Sequence, residues 1–275
     1  MSLNPLQALG KRGHYRWIIA AMLLFATTIN YMDRFVIGLV FPYLRDEFGW
    51  DEGHLTNILM CFEVAYAIGL VTFGRILDWV GTRRGFLGAV IVWSAAAVGQ
   101  AFCTTVAGFG SMMFALGLGE SGVFPAAVKT TAEWFPKSER ALVAGIFNSG
   151  SNVGAIVAPL LVPWLCLNWG WQWAFIIVGA VGFVWVFFWV LVYQQPNKSK
   201  YVGAKELAHI EKDPPQPVAK IPWIKLLKLR QTWAFICAKF MTDAVWRWYF
   251  FFMPLFIVDI YNVNIKDMTN FALPI

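Results

Sequence analysis

An aspartate and an arginine stand side by side inside a long apolar run near the N-terminus. The run covers residues 17–41, and Asn30, Tyr31, Asp33 and Arg34 lie near its centre. As a helix it rises about 37 Å, enough to cross the roughly 30 Å hydrocarbon core of a bilayer. Each charge there costs roughly 2.5–3.5 kcal/mol, so it should face a partner or a water-filled cavity. The first hypothesis is a substrate path; the alternative is that buried ion pairs merely tie helices together.

Two further carboxylates lie within apolar runs. Glu63 shares a helix face with Tyr66 in a run at about 54–77, and Glu120 lies roughly 18 Å into a run at about 108–131. At both positions a protonated packing residue is the alternative to a functional acid.

Small and polar residues surround Glu120 and recur in the next apolar run. Gly117, Gly119 and Gly122 form a G-x-G-x-x-G pattern, but no strand precedes it, so we interpret these glycines as helix-packing residues rather than a nucleotide motif. The following run carries Gly150 and Gly154, with four polar residues at mid-depth that favour a polar cavity: Asn148, Ser149, Ser151 and Asn152.

The composition indicates a polytopic helical membrane protein. Of 275 residues, 59% are hydrophobic and only 14% are charged, which is too apolar for a soluble domain of this size. The four cysteines show no paired spacing that would suggest a disulfide framework or a metal site. No nucleophile, metal cluster or cofactor motif points to an enzyme, so we expect neither metal nor cofactor.

The apolar runs define the predicted organisation. A bundle of six spanning helices occupies residues 1–193, a polar and basic cytoplasmic linker with Pro214, Pro215 and Pro217 occupies 194–231, and 232–275 begins a second bundle. The predicted spans are 17–41, 54–77, 86–103, 108–131, 141–165, 171–193 and 232–258, with the start of another at 268–275. Lys239 and Asp243 in the seventh span form an i, i+4 pair.

The short connection between the second and third spans carries the first family motif. Gly74, Asp78, Gly81, Arg83 and Arg84 have the spacing of the loop between helices 2 and 3 of the major facilitator superfamily, which the chain resembles here. The glycines would allow close helix approach, and Asp78 with the arginines would form ion pairs in one conformation and break them in another.

Basic residues set the predicted orientation. With the N-terminus in the cytoplasm, nearly all loop lysines and arginines fall on the cytoplasmic side, and only Arg45 and Lys266 fall outside. This bias explains the net charge of +6 without a nucleic-acid partner. We expect a multi-pass protein of the inner, cytoplasmic membrane.

Further motifs narrow the resemblance to the anion:cation symporter branch, and within it to bacterial hexuronate and galactonate transporters. They are residues 31–34, 119–125, 134–136, 148–150 and 239–246. The resemblance implies proton-coupled uptake of a sugar acid anion by alternating access, in a protein that is a monomer when complete. Its implied site residues are Arg34 for the substrate carboxylate, Asp33 and Glu120 for protons, and Tyr31, Tyr66, Ser151 and Asn152 for the sugar. Protonating Asp33 would free Arg34 for substrate.

Two departures from the family pattern qualify that expectation. Many relatives carry an arginine where this chain has Met113, so an ion pair that holds Glu120 is expected to be missing. Relatives usually have twelve spanning helices, so we expect a partial form that does not transport by itself. The alternatives are a membrane sensor for organic anions and a non-functional remnant.

Overall fold

The computed structural model describes residues 13–213, 225 and 227–261, and in this part of the chain it contains helices and no strands. The long helices are α1 (Tyr15–Phe48), α2 (Glu52–Val80), α3 (Thr82–Gln100), α4 (Val106–Glu120), α5 (Val123–Trp134), α6 (Lys137–Trp169), α7 (Trp171–Val192) and α9 (Arg230–Tyr261). A short helix, α8 (Ala204–Ile210), lies between α7 and α9. The predicted segment 268–275 and the three linker prolines fall outside the described residues.

Within the described residues, five segments are long and apolar enough to cross a membrane by length and composition: Tyr15–Phe48, Glu52–Val80, Val106–Trp134, Lys137–Trp169 and Trp171–Val192. Two predicted spans are not among them: α9, which contains the seventh, and α3, the third, which begins Thr82, Arg83, Arg84. α3 nevertheless packs between α4 and α7. The predicted all-helical membrane fold is therefore confirmed, with α3 completing the six-helix bundle and α9 lying against α1.

The fourth predicted span, 108–131, is interrupted. α4 ends at Glu120 and α5 begins at Val123. Pro125 explains the break, because it has no N–H and its ring clashes with the carbonyl four residues earlier, at Ser121. The interruption places Glu120 at the last residue of a helix in the middle of the bundle.

Glycines set how closely the helices approach. α1 packs most extensively against α6, where a Cβ added at Gly154 would lie 2.8 Å from the Thr28 carbonyl oxygen of α1. A Cβ at Gly119 would lie 2.7 Å from the backbone nitrogen of Trp93 in α3. The contact at Gly119 confirms the interpretation of that glycine as a packing residue, and Gly154 has the same role between α6 and α1.

The turn from α1 into α2 is capped at both ends. Gly49 ends α1 in the left-handed conformation, with φ of 68°. Asp51 caps α2, where the His54 backbone N–H donates to its carboxylate at 3.0 Å. That bond and a second from the His54 ring hold the pKa of the Asp51 carboxyl below its ordinary value.

Candidate functional site

Arg34 and Glu120, separated by 86 residues in the sequence, form an ion pair inside the bundle. The Arg34 Nε lies 2.5 Å from Glu120 Oε2, and the two side chains are only 7% and 0% exposed. α1 supplies the arginine, and the end of α4 supplies the glutamate. Because charges at such depth are costly, each needs a partner, and this pair meets that need both for a substrate path and for an ion pair that ties α1 to α4.

Three aromatic rings surround the Arg34 guanidinium. Its Cζ lies 5.0 Å from the ring centre of Tyr31, 5.4 Å from that of Phe62 and 4.7 Å from that of Tyr66. Arg34 also donates a hydrogen bond to the Tyr66 hydroxyl. Rings at these distances attract the cation through their electron-rich faces and limit its movement. The guanidinium is thus held in place by contacts that do not depend on Glu120.

A cavity of about 40 Å³ opens beside the ion pair. It brings together Tyr31, Arg34, Tyr66 and Glu120 from the predicted site. Asn148 also lines it, one of the four polar residues from which the sequence predicted a polar cavity. The remaining lining residues were not assigned to the site from the sequence: Thr27, Asn30, Phe124, Phe147, Val123 and Ala127. The volume is sufficient for water but far below the roughly 300 Å³ or more of a pocket that encloses an organic ligand.

Asp33 is buried next to this site without lining the cavity. Its side chain is close enough to Glu120 and Arg34 to interact electrostatically with both. Among the residues that the structure describes, its Oδ2 atom has no hydrogen-bond partner. The site therefore contains a second buried carboxyl group, but the carboxylate that Arg34 binds is Glu120. Asp33 interacts with Arg34 only electrostatically, so the predicted release of Arg34 on protonation of Asp33 stays a prediction.

Glu120 was expected to lack an ion-pair partner, because this chain has Met113 where many relatives have an arginine, but the structure supplies another partner. Met113 is buried in α4, and Glu120 still has a basic partner, since Arg34 supplies the ion pair across the helix interface. Arg34, which was expected to bind the substrate, is therefore also the ion-pair partner of Glu120, which was expected to take up the proton.

Ser151 and Asn152 lie outside the cavity. The Ser151 hydroxyl donates to the Asn148 carbonyl oxygen at 2.7 Å within α6, and Asn152 is exposed. Asn148, one helical turn before Asn152, is the polar residue of α6 that reaches the cavity. The sequence predicted that these residues lie at a similar depth in the membrane. It could not predict which of them lines the cavity, because that depends on how α6 is rotated against α1.

The contacts of the loop motif differ in part from the predicted ion pairs between Asp78 and the arginines and from the predicted close helix approach at the glycines. Asp78 pairs with Lys129 of α5 at 2.7 Å rather than with an arginine, and Arg83 Nη2 donates to the Val190 carbonyl oxygen of α7 at 2.7 Å. Gly81 has a φ of 86°, which favours glycine. A Cβ at Gly74 or Gly81 would meet nothing within 4 Å in the described structure, so close helix approach is not their role there.

The predicted pair in the seventh span is present. Lys239 Nζ lies 2.8 Å from Asp243 Oδ1 on α9, and both side chains are about half exposed. Neither residue lines the cavity beside Arg34.

Comparisons with known proteins agree with this architecture. The Major Facilitator Superfamily profile matches residues 23–274. The "Hexuronate transporter" of Escherichia coli strain K12 is 29% identical over 94% of this chain, and the "Galacturonate transporter" of Dickeya chrysanthemi is 30% identical over 94%. The chain spans 61% and 76% of the lengths of these two proteins.

A solved structure supports the fold independently. The inward-facing, unoccupied structure of a bacterial homolog of the human lysosomal transporter Spinster superposes with a TM-score of 0.77. It covers 95% of this chain and 59% of its own, at 21% identity. A profile match over most of the chain and a matching helical architecture lead to one conclusion: this multi-pass membrane protein belongs to the major facilitator superfamily.

Proposed function

We propose that this chain forms part of a carrier for proton-coupled symport of a sugar acid anion, such as a hexuronate or a galactonate-like acid, by alternating access. The relatives named for hexuronate and galacturonate suggest the substrate class. The observation that carries the proposal is the buried Arg34–Glu120 pair beside a polar cavity.

Arg34 provides the chemistry for a carboxylate ligand. A guanidinium binds a carboxylate through two parallel N–H bonds, and burial strengthens that interaction. Tyr31 and Tyr66 add hydroxyl groups beside the guanidinium, which can donate to or accept from the hydroxyls of a sugar acid. In this proposal Arg34 binds the acid group and the two tyrosines orient the sugar.

Charge balance links the anion to a proton. One guanidinium neutralises one carboxylate, so a site holding Arg34, Asp33 and Glu120 is electrically neutral when one of the two acids is protonated. A substrate carboxylate that replaces Glu120 on Arg34 adds one negative charge. The buried site stays neutral only if Glu120 takes up a proton at the same time. Each monovalent anion would thus enter with one proton.

The small volume of the cavity implies a conformational step. A cavity of about 40 Å³ cannot enclose a sugar acid, so the Glu120 side chain must leave Arg34 and the aromatic residues must separate. Transporters of this class place the site between two bundles and open it to one side at a time. Protonation of Glu120 would be the event that permits opening.

Uptake into proteoliposomes tests the proposal. Vesicles containing a purified twelve-helix form that includes this segment are given labelled glucuronate or galacturonate, with and without an inward proton gradient; the 275-residue chain by itself is expected not to transport. We expect gradient-dependent accumulation and external alkalinisation of about one proton per anion, from the charge balance above. Saturable binding without flux would instead support a membrane sensor, and neither binding nor flux would reject the substrate class.

A further inference from the structure

A second and larger cavity, far from Arg34 in the sequence, is strongly basic. It measures about 540 Å³ and lies where the end of α2, the start of α3, the end of α5 and the segment after α7 meet. Arg83, Arg84 and Lys198 contribute three cations to its wall, whereas Glu133 contributes the only acid among its lining residues. The cavity therefore carries an excess positive charge.

The single acid is already used within the protein. Glu133 Oε1 accepts a hydrogen bond from the Thr82 hydroxyl at 2.6 Å, and Oε2 accepts one from the Tyr193 hydroxyl. The side chains of Arg84 and Lys198, in contrast, are exposed and form no hydrogen bond or ion pair with the residues that the structure describes. Two exposed cations at one cavity therefore remain available for an anion from outside the chain.

The surface beside this cavity is suited to lipid chains. Phe187 and Leu191 of α7 are 61% and 54% exposed, and Trp79 at the end of α2 is 89% exposed. Tryptophan favours the interface between hydrocarbon and headgroups. Arg83 donates a hydrogen bond to the Val190 carbonyl oxygen, near the end of α7. The basic residues of the cavity therefore lie next to the end of the apolar surface of α7. A soluble phosphate would use the cations but not this neighbouring apolar surface.

We propose that this cavity binds the phosphodiester headgroup of an anionic phospholipid, with the acyl chains lying along the outer face of α7. Arg84 and Lys198 bind the phosphate, and Arg83, fixed to α7, sets the position of the headgroup. The basic end of the bundle faces the cytoplasmic leaflet in the orientation that the loop charges predict, and basic pockets between spanning helices on that side suit anionic headgroups. This site is independent of sugar acid binding.

Native mass spectrometry of the purified protein in neutral detergent tests the site. The probes are phosphatidylglycerol, phosphatidylcholine with the same acyl chains, and inorganic phosphate. We expect phosphatidylglycerol to bind in preference to the other two, and the double variant Arg84→Gln/Lys198→Gln to bind it about tenfold more weakly. The charge-preserving variant Arg84→Lys/Lys198→Arg should retain most of the binding, which separates loss of charge from loss of fold.

A matched control removes the same charge elsewhere on the same end of the protein. Lys205 and Lys212 are exposed and do not line the cavity, so Lys205→Gln/Lys212→Gln should change binding by no more than about twofold. If both double variants lost phosphatidylglycerol binding equally, the binding would depend on general surface charge rather than on this cavity, and the proposal would be overturned. Equal binding of phosphatidylcholine, or displacement of the lipid by an equal concentration of inorganic phosphate, would overturn it as well.

Discussion

Arg34 has two possible carboxylate partners in the proposed cycle, and they compete for the same guanidinium. Glu120 occupies it at 2.5 Å, while three aromatic rings keep it in place from other directions. A carboxylate from a substrate must therefore displace one from the protein. This competition makes both residues testable by measurements of binding as well as transport.

Removing the guanidinium should abolish substrate binding. In Arg34→Ala we expect glucuronate affinity to fall by at least about a hundredfold, because a buried charge-assisted pair is lost and Glu120 is left without its cation. Isothermal titration of the purified protein measures this. Arg34→Lys serves as the control that keeps the charge but not the planar pair of donors, so it should recover only part of the affinity. Undiminished binding in Arg34→Ala would exclude its proposed role.

The Glu120 proposal makes a prediction about pH. Because substrate replaces ionised Glu120 and a proton is taken up, glucuronate affinity should fall as pH rises, by up to about tenfold per pH unit. Glu120→Gln is neutral at every pH, so its affinity should lose this dependence and be no weaker than that of the unmodified protein. Its gradient-driven accumulation should disappear.

Glu47→Gln is the matched control for the loss of one carboxylate. Glu47 lies near the far end of α1 and accepts a hydrogen bond from Trp171 Nε1 at 2.6 Å, which a glutamine oxygen can also accept. Its pH profile should match that of the unmodified protein. If Glu120→Gln kept the original pH dependence, a different group would have to be the coupling acid.

At the scale of helices, the site depends on how closely α6 approaches α1. Gly154 lies against the Thr28 carbonyl oxygen and the Tyr31 Cβ atom of α1, so this contact also sets the position of one of the rings around Arg34. α4 and α5 supply the other requirement, because the break before Pro125 leaves Glu120 at the end of α4 inside the bundle.

Two alanine substitutions on the same helix separate packing from helix propensity. Gly154→Ala should lower the free energy of unfolding by about 1–3 kcal/mol, because its Cβ would lie 2.8 Å from backbone. Gly145→Ala meets nothing within 4 Å and should be neutral or stabilising by about 0.5–1 kcal/mol. Thermal unfolding in detergent, followed by circular dichroism, measures both. Equal shifts would mean that the α1–α6 contact does not depend on this glycine.

At the scale of the whole molecule, the loop charges predict which end of the bundle faces the cytoplasm. Asp46 and Lys200 are exposed at positions that this orientation assigns to opposite sides of the membrane. In a cysteine-free background, we expect a membrane-impermeant maleimide to label Asp46→Cys in intact cells and Lys200→Cys only after the membrane is opened. The reverse pattern would invert the orientation and move the lipid site to the outer leaflet.

Much of this architecture follows from the sequence alone. The long apolar runs predicted the helices, and the buried positions of Asp33, Arg34 and Glu120 followed from charges within those runs. These features depend on the free energy of placing each residue type in an apolar medium, which is a local property of the chain. The loop motif and Gly119 were recognisable from residue type and spacing, although the structure gives Gly74, Asp78 and Gly81 other contacts than the motif predicted.

Only the tertiary structure decided which groups meet. It paired Arg34 with Glu120 instead of Asp33, joined Lys129 to Asp78, brought Phe62 and Asn148 to the site and left Ser151 and Asn152 outside the cavity. These outcomes depend on the rotation and approach of whole helices, which many distant packing contacts set together. Spacing along one helix fixes the residues that share its face, but it does not specify the neighbour that this face meets.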